Sequence, residues 1–283
     1  MPLVRLCAIW VVFVCLPAFS TPLYEVYTGP VAAMVSAEAF PGVSEAKGTL
    51  KVTGIPSSAT VKAAYLYTSD WFSTASLQAN FGSKDVGGAA PSSSDGQFSN
   101  YRWDVTDAIN GNGSYDFDLS GGAQIYSVAL AIVYSTPGRP DRTVTLTDFS
   151  KEVSAPDGFG ATAGTPEMNL QLNSPYAGAG TLWLLTNADD PQTTGEGIYF
   201  NAGQVGGPID GNLGPYGSLF KLPVQVQSGD NRMSLTSNGD WFGWSLAILD
   251  APGPQAIPSP EPASLSLALT GLVALALYRR RRS

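Results

Sequence analysis

Short stretches in which apolar and polar residues alternate, each closed off by turn-forming residues, limit what this chain can become. They run over 49–52 (TLKV), 61–67 (VKAAYLY), 101–105 (YRWDV), 115–119 (YDFDL), 128–134 (VALAIVY) and 143–146 (TVTL). Alternation puts one side of a segment in a core and the other in water, as a β-strand requires. No window of a dozen residues carries a helical stripe outside the two ends of the chain. Strands at this spacing, separated by Gly, Pro, Ser, Thr and Asn, predict an all-β fold of β-sandwich or jelly-roll type.

The second half of the chain reads like the first. Phe81-Gly82-Ser83-Lys84-Asp85-Val86-Gly87-Gly88 matches Phe200-Asn201-Ala202-Gly203-Gln204-Val205-Gly206-Gly207 at an offset of 119. At that offset Leu66 meets Leu185, Asp70 meets Asp189, Tyr101 meets Phe220, Trp103 meets Leu222 and Val105 meets Val224. Leu130-Ala131-Ile132 meets Leu246-Ala247-Ile248 and Pro137 meets Pro252, as the offset falls to 115. Upstream, Leu50 and Val52 meet Leu170 and Leu172. So many matches in order predict a duplicated unit of about 90 residues. On this reading Leu66 and Leu185 are buried at equivalent core positions, and the two copies share one strand order.

Cys7 and Cys15 both fall in the first 20 residues, so the body has no cysteine and its core alone must stabilise it. The chain has no histidine. That excludes Ser-His-Asp and Cys-His catalysis and the usual zinc and copper ligands, and leaves oxygen donors suited to calcium. Between residues 21 and 259 there are 10 basic and 22 acidic residues. Such acidity disfavours nucleic acid and anionic membranes as partners.

At the start, Arg5 precedes an apolar run over 6–19, with small residues at Ala18 and Ser20. This predicts a secretory signal, forming a helix over 1–20 and cleaved by signal peptidase after Ser20. The alternatives are an uncleaved anchor, or a lipoprotein through Cys15, against which bulky Val14 argues. At the other end, Pro260-Glu261-Pro262 precedes an apolar segment over 265–278 with Gly271 inside it, followed by Arg279, Arg280, Arg281 and Arg282. The arginines orient that end to the cytoplasm. This three-part ending resembles the PEP-CTERM sorting signal of Gram-negative bacteria; the alternative is an ordinary tail anchor. The resemblance implies a short C-terminal apolar helix held transiently in the inner membrane, then handling by an exosortase. It also implies delivery to the cell surface or extracellular matrix of an exopolysaccharide-producing species. The chain then divides into a signal (1–20), a first unit (21–140), a connecting strand and linker (141–167), a second unit (168–252), a Pro-rich spacer (253–259) and the tag (260–283).

The body resembles an uncharacterised family of bacterial surface β domains. The residues that carry this are Gly54-Ile55-Pro56, Ala64-Tyr65-Leu66-Tyr67, Asp104-Val105-Thr106 and Ile132-Val133-Tyr134. The second copy has Val224-Gln225-Val226 in place of Asp-Val-Thr. The resemblance implies a fold rather than an activity. Candidate calcium ligands are Asp104 and Asp107, near Asn110 and Asn112, together with Asp189 and Asp190; solvated turns explain the same residues. Trp71 and Trp241 stand beside carboxylates, as a sugar-binding face needs, or serve as core anchors. Carboxylate pairs could serve a glycosidase, but none has a catalytic context here. The sequence therefore predicts a non-catalytic structural or adhesive protein that needs no cofactor. A carbohydrate-binding protein that contacts exopolysaccharide comes second, and a glycan hydrolase third.

Overall fold

The computed structural model describes residues 23–94, 96, 98–153, 166–187, 196–209, 211–214, 216–237 and 242–254. The expected signal helix and the C-terminal helix with its tag lie outside these residues. Among the described residues the chain is nearly all β, with curled sheets, as the alternation predicts. No described helix is long and apolar enough to cross a membrane.

The first nine strands are β1 (Leu23–Gly29), β2 (Val31–Val52), β3 (Thr60–Trp71), β4 (Leu77–Phe81), β5 (Lys84–Ala89), β6 (Ser93–Ser94), β7 (Phe98–Asp104), β8 (Gly113–Ser135) and β9 (Arg142–Val153). There follow β10 (Pro166–Ser174), β11 (Gly178–Asn187), β12 (Gly197–Phe200), β13 (Gly203–Gly206), β14 (Gly217–Val226), β15 (Gly229–Thr236) and β16 (Phe242–Pro252).

β2 and β8, with 22 and 23 residues, far exceed an ordinary strand and both bend. β2 turns at Pro41-Gly42 and β8 at Gly121-Gly122. Their ladder breaks there, stepping from Ala39 with Ser127 to Val43 with Ile125 to Glu45 with Ser120. Gly42 and Gly121 take φ of 71° and 94°, which a side chain would strain. Asp70, buried on β3, pins the corner by accepting N–H groups from Ala123 at 3.0 Å and Gln124 at 2.6 Å. Burial pushes the Asp70 carboxyl pKa up, and these N–H groups oppose the shift. Past the corner, one sheet supplies both walls of a core that includes Leu50, Leu66, Phe81, Phe117 and Leu130.

The second half uses two sheets, ordered β1-β9-β16-β11-β14 and β10-β15-β12-β13. They share a core of Leu184, Phe200, Met233, Leu235 and Trp244 among others. Its strand order reproduces that of the first half. In one wall, 31–39 of β2, 125–135 of β8, β3 and β7 correspond to β9, β16, β11 and β14. In the other, 43–52 of β2, 113–120 of β8, β4 and β5 correspond to β10, β15, β12 and β13. Each long bent strand of the first half is two strands in the second. The hairpins beyond Phe81 and Phe200 both use two-residue loops, Gly82-Ser83 and Asn201-Ala202. In the second, φ values of 50° and 66° suit the right-handed twist of a hairpin.

Within the segment expected to hold a connecting strand, β9 pairs with β16 along its length and takes β1 on its other edge. The strand at 31–39 escapes the alternation rule, since its alanines give little strand signal. Those alanines matter in a third core, where the wall containing β3 meets the wall containing β11. Ala33, Ala63, Ala129 and Ala131 on one side receive Trp183, Leu185, Leu246 and Ile248 on the other. Leu66 and Leu185 are both buried, 0% and 1% exposed, but they are not equivalent. Leu66 faces the first core and Leu185 this middle seam; Leu184 is the inward residue of the second half. The offset of 119 is wrong by an odd number here, and a one-residue slip moves a strand residue to the opposite face.

Leu66→Ala and Leu185→Ala should each cost ~2–5 kcal/mol in chemical denaturation. Ala131→Leu should cost ~1–3 kcal/mol by overfilling the seam.

Candidate functional site

Trp71 is only 3% exposed, wedged edge-on against Phe98 with ring centres 5.4 Å apart. It is a core residue and offers no free face to a sugar. Phe72, the first residue after β3 ends, is 56% exposed. Phe72 sits at φ 63° and Tyr216, 37% exposed, at φ 73°; both are costly for bulky residues. The rings of Trp71 and Tyr126 lie between them, at successive centre distances of 5.8, 6.1 and 6.2 Å. The exposed aromatics of this corner are thus Phe72 and Tyr216. No sequence signal singles out either of them, because both owe their exposure to turn backbone at positive φ. Trp241, Asp189 and Asp190 lie outside the described residues.

Asp104 and Asp107 are exposed at the end of β7 and in the one-turn helix Thr106–Ala108. Asp104 uses one oxygen to accept the Thr106 N–H at 2.9 Å, which holds that turn. Asn112 is equally occupied, clasping both backbone groups of Ile55. Among the described residues, no three acidic, His or Cys side chains converge in a way that could hold a metal ion.

Asp104 and Asp107 do line a cleft of about 530 Å³ with Glu25, Tyr27, Lys62, Tyr65 and Lys84. β1 and β3 bring its central group together. The hydroxyls of Tyr27 and Tyr65 donate to Glu25 Oε2 at 2.6 and 2.7 Å, and lie 2.9 Å from each other. Burial, then the Glu25 hydrogen bond, raises the pKa of both tyrosines. Behind Tyr65, the Arg102 guanidinium stacks 3.2 Å from the Tyr24 ring centre and pairs with Asp148. Burial raises the Asp148 carboxyl pKa, against the pull of Arg102. The cleft offers carboxylate acceptors and lysine donors around phenol rings, a surface suited to hydroxyl-rich ligands. The sequence missed Glu25, Tyr27 and Tyr65 because 38 residues separate the two tyrosines and only the packing of one sheet on another joins them.

No family model matches the chain, and no curated protein does. Among solved structures it is similar to PNGF-II in space group C2, with a TM-score of 0.34 and 6% identity over 76% of this chain and 61% of that one. It is also similar to a β-porphyranase of glycoside hydrolase family 86 from the human gut bacterium Bacteroides plebeius, with a TM-score of 0.27 and 10% identity. That match covers 77% of this chain and 36% of the porphyranase. The chain thus spans less than two thirds of the length of either. At such TM-scores neither likeness carries an argument about activity.

Burial also lifts the Tyr67 hydroxyl, and it lifts that of Tyr101 from 10.0 to about 12. Unfolded tyrosines ionise first, so above pH 10 the folded state holds more protons than the unfolded state. Stability is then complete below about pH 10 and falls as pH rises through about 12. Thermal melts from pH 9 to 12 should show this fall, and Tyr101→Phe should reduce it. Glu25→Ala removes the acceptor that two tyrosine hydroxyls share while leaving them bonded to each other, and should cost ~1 kcal/mol in denaturation.

Proposed function

We propose that this is a non-catalytic structural or adhesive protein of the bacterial cell surface or exopolysaccharide matrix, built on a duplicated β-sandwich unit. The observation that carries the reading is the ordered C-terminal signature of Pro260-Glu261-Pro262, an apolar segment and Arg279 to Arg282. An apolar segment this short is suited to temporary retention. It presents the Pro-Glu-Pro motif to an exosortase at the outer face of the inner membrane. The N-terminal signal, removed by signal peptidase, directs export. The matching strand orders of the two halves support duplication, and a body free of cysteine and histidine suits a scaffold better than a catalyst.

A second reading, carbohydrate binding, is favoured by the exposure of Phe72 and Tyr216 around Tyr126. Exposed aromatic rings pack on the apolar faces of sugars, and such clusters on a surface mark interaction sites. A glycan array separates the two readings.

Deleting residues 263–283 should release the body to the periplasm and abolish its arrival at the surface or matrix, as followed by immunoblotting of cell fractions. Neutralising Arg279 to Arg282 should weaken retention in the inner membrane. Normal delivery of the truncated chain would sink the assignment to exosortase handling.

A further inference from the structure

A second cleft, of about 420 Å³, opens at the edge of the middle seam, where β2 of the first half lies beside β14 of the second. Consecutive residues of β2, from Ala33 to Ala37, line it. Successive side chains on a strand point to opposite faces, so a cleft that touches the whole run follows the backbone edge of the strand. Over 31–39 β2 has β8 on one side and, among the described residues, no strand on the other. An open edge presents a row of unpaired N–H and C=O groups. Several other edges are guarded: neighbouring β14 carries Lys221 and Pro223, β10 starts at Pro166 and β5 starts at Lys84-Asp85. Residues 31–39 hold neither lysine nor proline.

The second half shows what such an edge takes. β9 corresponds to 31–39 of β2, and it carries β1 on its outer edge, antiparallel. Seated there, β1 lies against the opposite wall. Tyr24 meets Tyr65 of β3 edge-on, with ring centres 5.2 Å apart, and stacks on Arg102 of β7. The counterparts of β3 and β7 are β11 and β14, and these strands face the cleft through Trp183, Leu219 and Lys221. The cleft therefore has the surroundings of the β1 seat. The order of segments explains why only one seat takes a strand of this chain. β1, with 7 residues, leads into β2 through Pro30 alone and crosses to the other half. The segment that leads into β9 is 136–141, a turn in which the Arg139 N–H bonds to the Thr136 carbonyl. It supplies no leader strand for β2.

We propose that the open edge of β2 binds an extended segment of a partner protein, added antiparallel to 31–39 as β1 is added to β9. Ladder hydrogen bonds hold the backbone of that segment, and its alternate side chains enter the cleft on either side of the edge. Those on the seam side meet the half-buried Leu213 and Leu219, and those on the other side meet Met34. Apolar residues fit both, and β1 shows this chemistry in Leu23, Tyr24, Val26 and Tyr27. The inference goes beyond the structural or adhesive reading, because it rests on strand order and neither on the sorting signal nor on sugars.

The test titrates the purified full-length chain with a synthetic peptide copying Leu23 to Gly29, read by fluorescence anisotropy and by amide hydrogen exchange. The peptide should bind, and a scrambled peptide should bind at least about tenfold more weakly. Only alternate residues of an edge strand turn their N–H and C=O groups to a given neighbour. The peptide is therefore methylated on the backbone nitrogens of Tyr24, Val26 and Thr28, or on those of Glu25, Tyr27 and Gly29. One set should weaken binding at least about tenfold and the other less than about twofold. Binding should also slow exchange at amides within 31–39. No binding, or an equal loss from both methylated sets, would overturn the proposal. Slowed exchange at 142–153 instead would mean that the peptide displaces β1 from β9, and would overturn it too. So would protection of 31–39 that grows with protein concentration in the absence of peptide, since the occupant would then be a second copy of the chain. None of these readouts depends on export or sorting.

Discussion

The packing of one β wall directly on another, with small side chains facing large ones, is the constraint from which the rest of this structure follows. Alanines on β2, β3 and β8 let the walls approach, and Trp183, Leu185, Leu246 and Ile248 fill the space they leave. Strands that line this seam are buried on both faces, and all 11 residues of β16 are buried. Such strands read as continuous apolar runs rather than alternating ones. With no cysteine in the body, three stacked cores replace the cross-links that many exported domains use.

Polar contacts register the walls at the rims of the seam. Asn187 Nδ2 on β11 donates to Ser69 Oγ on β3 at 3.0 Å, and Ser69 donates to Asn100 Oδ1 on β7 at 2.8 Å. On the β1 side, Tyr65 reaches Glu25 and Arg102 reaches Asp148. Buried polar groups with partners set one register at little cost, whereas a slipped register would leave each of them unsatisfied. The same rims open into the two clefts.

Much of the fold was legible. The runs at 49–52, 61–67, 101–105, 115–119 and 143–146 are strands, and the match of Phe81 to Phe200 marks two equivalent hairpins. Other features were illegible for physical reasons. A comparison by offset cannot detect a one-residue change in parity, so it paired Leu66 with Leu185 across opposite faces. Alanine-rich 31–39 carries no strand preference of its own and becomes a strand because β8 pairs with it. The candidate sites were less visible still. Asp104 was named from its acidic surroundings and does line a cleft, but Glu25 and Tyr27 meet Tyr65 only where two sheets pack together, and Lys221 meets Trp183 only through the ladder of β11 with β14.

The place of β16 in its sheet has a mechanical consequence. Its last residues lead directly to Gly253, and along its length it is hydrogen-bonded to β9 on one side and β11 on the other, antiparallel to both. A tether attached beyond Gly253 would pull this strand lengthwise from between two neighbours. Under that load the ladder bonds are sheared together instead of being peeled apart one by one, and many bonds sharing one force resist far longer than a frayed edge. A protein held to a surface by that end would therefore meet drag at the strongest seat in its fold.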